Sequence, residues 1–143
     1  MSQTLTTVEE LFQQGVERYK GGESVETLIP FFQDLCDRSS KSSTSWTCLA
    51  WLYLLANKPS AAMKAAKKAV KLNPHDPQAR VNLAVALLEA GQKGVREHID
   101  IAQQILMVAP DDLKAEVQDN IADGLSRKEN WQALEKVKAW LFA

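Results

Sequence analysis

The sequence predicts an all-α chain of eight helices and no strand, arranged as about four stacked helix–turn–helix units, the last degenerate. Three observations carry this. Units that start at residues 8, 43, 77 and 113 are spaced 35, 34 and 36 residues apart. Gly22, Asn57 and Gly91 hold the same place, the fifteenth, in the first three units. Glycine and asparagine reach the left-handed backbone of a helix end at little cost. Pro74 and Pro110 stand near the ends of units two and three, where proline stops a helix. A single helix pair of this size cannot bury its apolar face, so the pairs must stack. The chain divides at about 8–42, 43–76, 77–112 and 113–143 within one domain, 1–143.

Unit one places helices at about Thr7–Lys20 and Val25–Asp37, with Gly15 at the small place 8 on the first and Phe31 at place 24 on the second. Pro30 conflicts with the second helix. A proline in a helix interior costs ~3 kcal/mol, so that helix is expected either to kink or to begin at Pro30, where proline suits a first turn. Unit two places helices at about Ser43–Ala56 and Ser60–Leu72. Its nine-residue apolar run, Cys48–Ala56, makes the first helix apolar on every side, the mark of a helix covered all round. Unit three gives Pro77–Ala90 and Val95–Val108, with Gln92-Lys93-Gly94 lengthening the turn by two residues relative to unit two. Asp76 and Asp112 are placed to cap the helices that follow them. Unit four gives Leu113–Ser126 and Asn130–Phe142 and has no terminal proline.

The strongest pattern lies in Ser43–Asp76. Trp46, Leu49, Ala50, Tyr53, Ala62, Ala66, Ala69 and Pro74 fall at places 4, 7, 8, 11, 20, 24, 27 and 32 of a 34-residue unit. This resembles the tetratricopeptide repeat. The resemblance implies a right-handed helical solenoid that binds other proteins. It makes Trp46, Leu49, Tyr53, Leu83 and Leu87 core residues, and it turns places 2, 5, 9, 12 and 13 of each first helix toward a concave groove.

By that register the candidate partner-binding residues are Phe12, Val16 and Tyr19 in unit one, Thr47, Trp51, Leu54 and Leu55 in unit two, and Val81, Val85 and Leu88 in unit three. Exposed, such residues form the kind of apolar patch that marks a binding surface, with Trp51 as anchor and Leu55 and Val85 flanking it. The same area is hidden equally well by the chain's own N-terminal segment or by self-association. The carboxylate clamp that the family uses for acidic chaperone tails needs Lys and Asn at places 5 and 9. Here those places hold Phe12, Val16, Thr47 and Trp51, so the clamp is absent. Asn82 matches place 6, where family members use an amide to hold a partner's backbone. Gln13 and Gln118 share that place, and Cys48 interrupts the row.

Net charge is −1, so no global field draws the chain to nucleic acid or membrane. Residues 1–10 lack the basic start and apolar run of a secretory leader. Nine consecutive apolar residues are too few to span a bilayer. Cys36 and Cys48 are the only cysteines and read as reduced thiols of a cytoplasmic protein. With His75 and His98 they match no zinc-ligand spacing, and neither a phosphate-binding glycine loop nor a nucleophile elbow is present. Paired carboxylates such as Glu9-Glu10 and Asp111-Asp112 suit helix N-terminal turns. No catalytic residue, metal or cofactor is expected.

Lys64, Lys67, Lys68 and Lys71 form a basic stripe on the convex helix of unit two. It reads as a solvated face before an acidic partner or an RNA backbone, and no aromatic interleaves it as single-stranded nucleic acid would require. The end of the chain, through Trp140, Leu141 and Phe142, is an apolar surface suited to self-association and is expected to pack back through Ile105 and Val108. The expected role is a non-catalytic adaptor, scaffold or assembly chaperone holding an apolar peptide or helix. The alternative is a subunit or homo-oligomer whose groove or C-terminal end is permanently covered.

Overall fold

The computed structural model describes residues 7–143. Among them are eight α-helices and no strand: α1 (Val8–Lys20), α2 (Val25–Arg38), α3 (Ser43–Leu55), α4 (Pro59–Leu72), α5 (Pro77–Glu89), α6 (Val95–Val108), α7 (Asp111–Arg127) and α8 (Gln132–Leu141). The expected helices are all present, their ends within two residues of the sequence reading. The leader argument and the idea of an N-terminal groove filler both bear on residues 1–6, which lie outside the described residues.

Local chemistry explains the boundaries. Thr7, Ser42 and Asp76 cap α1, α3 and α5 by accepting backbone N–H groups, which satisfies donors that a helix start leaves open. Asp112 does not cap as expected: α7 starts two residues earlier, at Asp111, and Asp112 lies in its first turn. The three first helices end alike. Gly22, Asn57 and Gly91 have φ of 89°, 60° and 67°. The N–H groups of Glu23, Lys58 and Gln92 reach back to the carbonyls of Arg18, Tyr53 and Leu87 at 3.1, 2.9 and 2.9 Å, closing a Schellman turn each time. Pro30 lies inside α2, which begins at Val25 and not at Pro30. The proline is the sixth residue of that helix, so the N–H it lacks would have bonded a carbonyl of the first turn.

From α1 to α6 each helix packs on the next, and α3 also packs on α5. Small residues make the close approaches. A Cβ at Gly15 would lie 2.7 Å from the Phe32 ring, and Ala50, Ala62, Ala66, Ala69, Ala84 and Ala102 are completely buried. Helix α5 is the common wall. Its residues 81–87 are all buried; Leu83 and Leu87 join the cluster of α2, α3 and α4, while Val81, Ala84, Val85 and Ala86 join that of α6, α7 and α8.

The C-terminal pair departs from simple stacking. α8 packs on α5 and α6, the relation that α5 has to α3 and α4. α8 therefore continues the stack, and α7 is set free to cross the side toward which the repeat register turns Trp51, Leu54, Val81 and Val85. Val117 and Ile121 of α7 share one buried cluster with Leu54, Val81 and Val85. Gly124 rests on the Trp51 indole, which also stacks at a tilt on Trp131 with centroids 5.4 Å apart. The end of the chain packs back on unit three in part, as expected, though not through Val108. Leu141 is buried and Phe142 half-buried in a cluster containing Leu106, and Gln103 Nε2 donates to the Trp140 carbonyl at 2.8 Å. Val108 is 88 % exposed and takes no part. Of Trp140, Leu141 and Phe142, only Trp140 is exposed, at 36 %.

Two stability measurements check this packing. Ala50→Leu and Ala66→Leu force extra volume between touching helices and should each cost ~1–3 kcal/mol, against ~0.5 kcal/mol or less for Lys67→Ala on the exposed face. Thermal melts in the opposite order would show the repeat register to be wrong. In an open helix Gly→Ala gains ~1 kcal/mol. At Gly124 the new Cβ would lie 2.5 Å from Trp51 Cζ2, so Gly124→Ala should lower the melting temperature and speed amide exchange in α7; a raised melting temperature would disprove the seat.

Candidate functional site: a cleft between α1, α3 and α7

Helix α7 covers only part of the concave side. Beside it remains a cleft of about 880 Å³. Phe12, Val16 and Tyr19 of α1 and Thr44, Thr47, Cys48 and Trp51 of α3 form one side; Gln78 and Asn82 of α5 lie between; Asp112, Glu116, Asp119, Asn120 and Asp123 of α7 form the other. Six of the sequence-derived candidates, Phe12, Val16, Tyr19, Thr47, Trp51 and Asn82, therefore come together around one space. Leu54, Val81 and Val85 do not reach it, because they are buried in the cluster that α7 completes. Leu55 and Leu88 are half-buried against that same cluster. The groove thus has an occupant at its C-terminal half, and it is α7.

Tyr19 joins the two walls. Its hydroxyl donates to Asp123 Oδ2 at 2.5 Å and accepts from Trp51 Nε1 at 2.9 Å. Arg127 sits 3.8 Å from the Tyr19 ring centroid, donates to the Tyr19 carbonyl at 3.0 Å and pairs with Asp123 at 3.0 Å. Burial, then the Asp123 hydrogen bond, pushes the Tyr19 phenol well above its ordinary range, so it remains a donor throughout the neutral range. Lys128 adds a bond to the Leu54 carbonyl at 3.0 Å. Trp51 is consequently a seat for α7 more than a free anchor.

Asn82 has a different role from the one its place suggested. Its side chain is fully buried, its Nδ2 donates to the Thr47 carbonyl at 3.0 Å and its Oδ1 accepts from Gln78 Nε2 at 2.8 Å. Gln78 Oε1 in turn accepts from Asn120 Nδ2 at 3.1 Å. Three amides in series tie α7 to α5 and α5 to α3; Gln78 and Asn82 each use donor and acceptor at once, and Asn120 donates. The amide that could hold a partner's backbone is spent on the chain's own.

The groups able to do chemistry are muted. Burial pushes the Cys36 and Cys48 thiols up to about 12, far from the thiolate a nucleophile needs. His98 is held below its usual range by burial and by Arg80, whose guanidinium donates to its Nδ1 at 2.9 Å. No group of three or more potential metal ligands occurs among the described residues, and no helix among them is long and apolar enough to cross a membrane. Sequence reasoning missed the whole α7 wall. Two signals point to it: an interior glycine, Gly124, which a helix keeps only at a cost of ~1 kcal/mol, and acidic residues at 112, 116, 119 and 123, one helical face.

Tyr19→Phe removes the shared hydroxyl and leaves Trp51 Nε1 and Asp123 without it, a loss of ~1 kcal/mol at neutral pH. Because the folded phenol titrates above the unfolded one, its contribution is complete below pH ~10 and fades as the pH climbs through the folded value. Wild type should thus lose more stability than Tyr19→Phe between about pH 10 and 12. Parallel pH–stability curves would dismiss the Tyr19–Asp123 bond.

Comparisons with known proteins agree with this geometry. The family model described as tetratricopeptide repeat matches residues 53–94. No curated protein sequence matches the chain significantly. Among solved structures, the type III secretion chaperone SycD of Yersinia enterocolitica, in complex with a peptide of the translocator YopD, is 19% identical, with 95% of each chain covered and a TM-score of 0.69. PcrH from Pseudomonas aeruginosa is 17% identical, with 96% of each chain covered and a TM-score of 0.69. The TPR2B domain of yeast Sti1, in complex with an Hsp70 peptide, is 14% identical, with 94% of this chain and 93% of that one covered and a TM-score of 0.63. At these identities the likeness is one of fold. The chain matches the tetratricopeptide-repeat model over residues 53–94 and shares its helical-solenoid fold with these three structures.

Proposed function

We propose that the chain is a non-catalytic cytoplasmic adaptor or chaperone that holds an apolar segment of another protein in the cleft between α1, α3 and α7. The observation that carries this is the cleft itself, on whose wall Phe12 and Val16 stand half-buried. Peptide binding by SycD and by Sti1 TPR2B, each in complex with a peptide, supports peptide binding by this fold. PcrH has likewise been solved with the chaperone-binding region of PopD. Muted thiols and a locked histidine suit a protein that binds without reacting. The binding residues of this reading are Phe12, Val16 and the open edges of Tyr19, Thr47 and Trp51. Leu54, Val81 and Val85 serve instead to seat α7.

A second reading, a self-associating subunit, draws on Met107 and Val108, 83 % and 88 % exposed, and on the dimer reported for SycD. Light scattering on the purified chain separates it from the first.

A partner recovered from the native source should bind the purified protein directly. Val16→Asn should weaken that binding at least tenfold, ~1.4 kcal/mol, while leaving the melt cooperative. Lys67→Ala, on the opposite side, should leave it unchanged. Equal affinity for Val16→Asn and wild type would remove the cleft from the mechanism.

A further inference from the structure

The chemistry of the occupant can be read from the two walls of the cleft, granted that the cleft is a peptide site. Helix α7 is two-faced. Val117, Ile121 and Gly124 turn into the core, while Asp112, Glu116, Asp119 and Asp123 line the cleft. Asp123 is paired with Arg127. Asp112, Glu116 and Asp119 are exposed and, among the described residues, make no ion pair. The opposite wall is apolar, led by Phe12, Val16 and Trp51. Of the two cations at the cleft, Lys20 and Arg127, the second is committed to Asp123 and the Tyr19 ring. The acid row is not the by-product of an acidic chain, because the net charge is only −1, and Lys64, Lys67, Lys68 and Lys71 lie on α4, away from the cleft.

We infer that the cleft takes an amphipathic segment of a second protein that carries aliphatic or aromatic side chains along one side and Lys or Arg along the other. The apolar side meets α1 and α3, where it removes exposed apolar area from water. The basic side meets the α7 carboxylates, which otherwise face one another across single helical turns, an arrangement that is mutually repulsive. An acidic segment would bring like charges against α7, and such juxtaposition is how interfaces reject wrong partners.

The test uses the full chain and three labelled synthetic peptides of about 18 residues, with identical Leu and Val at helical i, i+3, i+4, i+7 spacing. Their remaining positions are Lys in one, Glu in the second and Gln in the third. Fluorescence anisotropy should show the Lys peptide binding at least tenfold tighter than the other two. The triple variant Asp112→Asn, Glu116→Gln, Asp119→Asn should reduce it to the Gln peptide's affinity. Raising salt from about 0.05 to 0.5 M should do the same for wild type, since the screening length falls below about 5 Å. Neutralising acids outside the cleft, Glu26→Gln with Asp37→Asn on α2, should preserve the preference.

Equal binding of all three peptides would overturn the basic preference and leave the apolar cleft standing. Binding of none would overturn the cleft and the inference with it. An equal loss in the α2 variant would show general attraction to an acidic surface and overturn the placement on α7. Should the triple variant fail to fold, the peptide comparison and salt titration on wild type still decide.

Discussion

The contact between Gly124 and the Trp51 indole decides the form of this molecule. Once α8 has taken the next place in the stack, α7 needs somewhere to bury Val117 and Ile121, and the apolar face of α3 and α5 is the surface on offer. An indole is too large to pass under a helix bearing ordinary side chains. The missing Cβ at Gly124 lets the α7 backbone come within reach of the ring, so the burial of a large aromatic outweighs the ~1 kcal/mol that glycine costs a helix. The Tyr19, Arg127 and Lys128 bonds follow from that seat and hold its edges.

That seat has two effects at once. It makes α5 a helix with no exposed face over residues 81–87, which converts an open solenoid into a body with one shared core wall. It also narrows the concave side. The half of the groove nearest the C-terminus is filled, and what remains open is bounded by a helix whose outer face is acidic. An apolar groove of the usual kind becomes a cleft with two unlike walls, and binding chemistry is set by both.

The polar groups around α7 show how such a helix is held with most buried hydrogen bonds kept, the Trp131 indole N–H being left without a partner. Asn120, Gln78 and Asn82 form a series in which Asn120 gives and Gln78 and Asn82 both give and take. The phenol of Tyr19 accepts from an indole and donates to a carboxylate. Groups that a sequence register marks as partner contacts are thereby consumed inside the chain, because an internal partner is always present at high effective concentration.

Sequence alone determined the helices and their order. Caps such as Thr7 and Asp76, the left-handed ends at Gly22, Asn57 and Gly91, and the proline stops are local matters, settled by backbone sterics within a few residues. Its period also determined the stacking of α1 to α6, since small residues at repeated places allow only one close packing. The tertiary structure decided where α7 goes, that Leu54, Val81 and Val85 are core, and that Asn82 serves its own chain. Those outcomes depend on contacts between residues about 40 to 100 positions apart, such as Asn120 with Gln78 and Asp123 with Tyr19. A degenerate last unit carries no periodic signal to say which of its two helices continues the stack. The choice falls to whichever arrangement buries more apolar surface, and that is a property of the assembled solenoid.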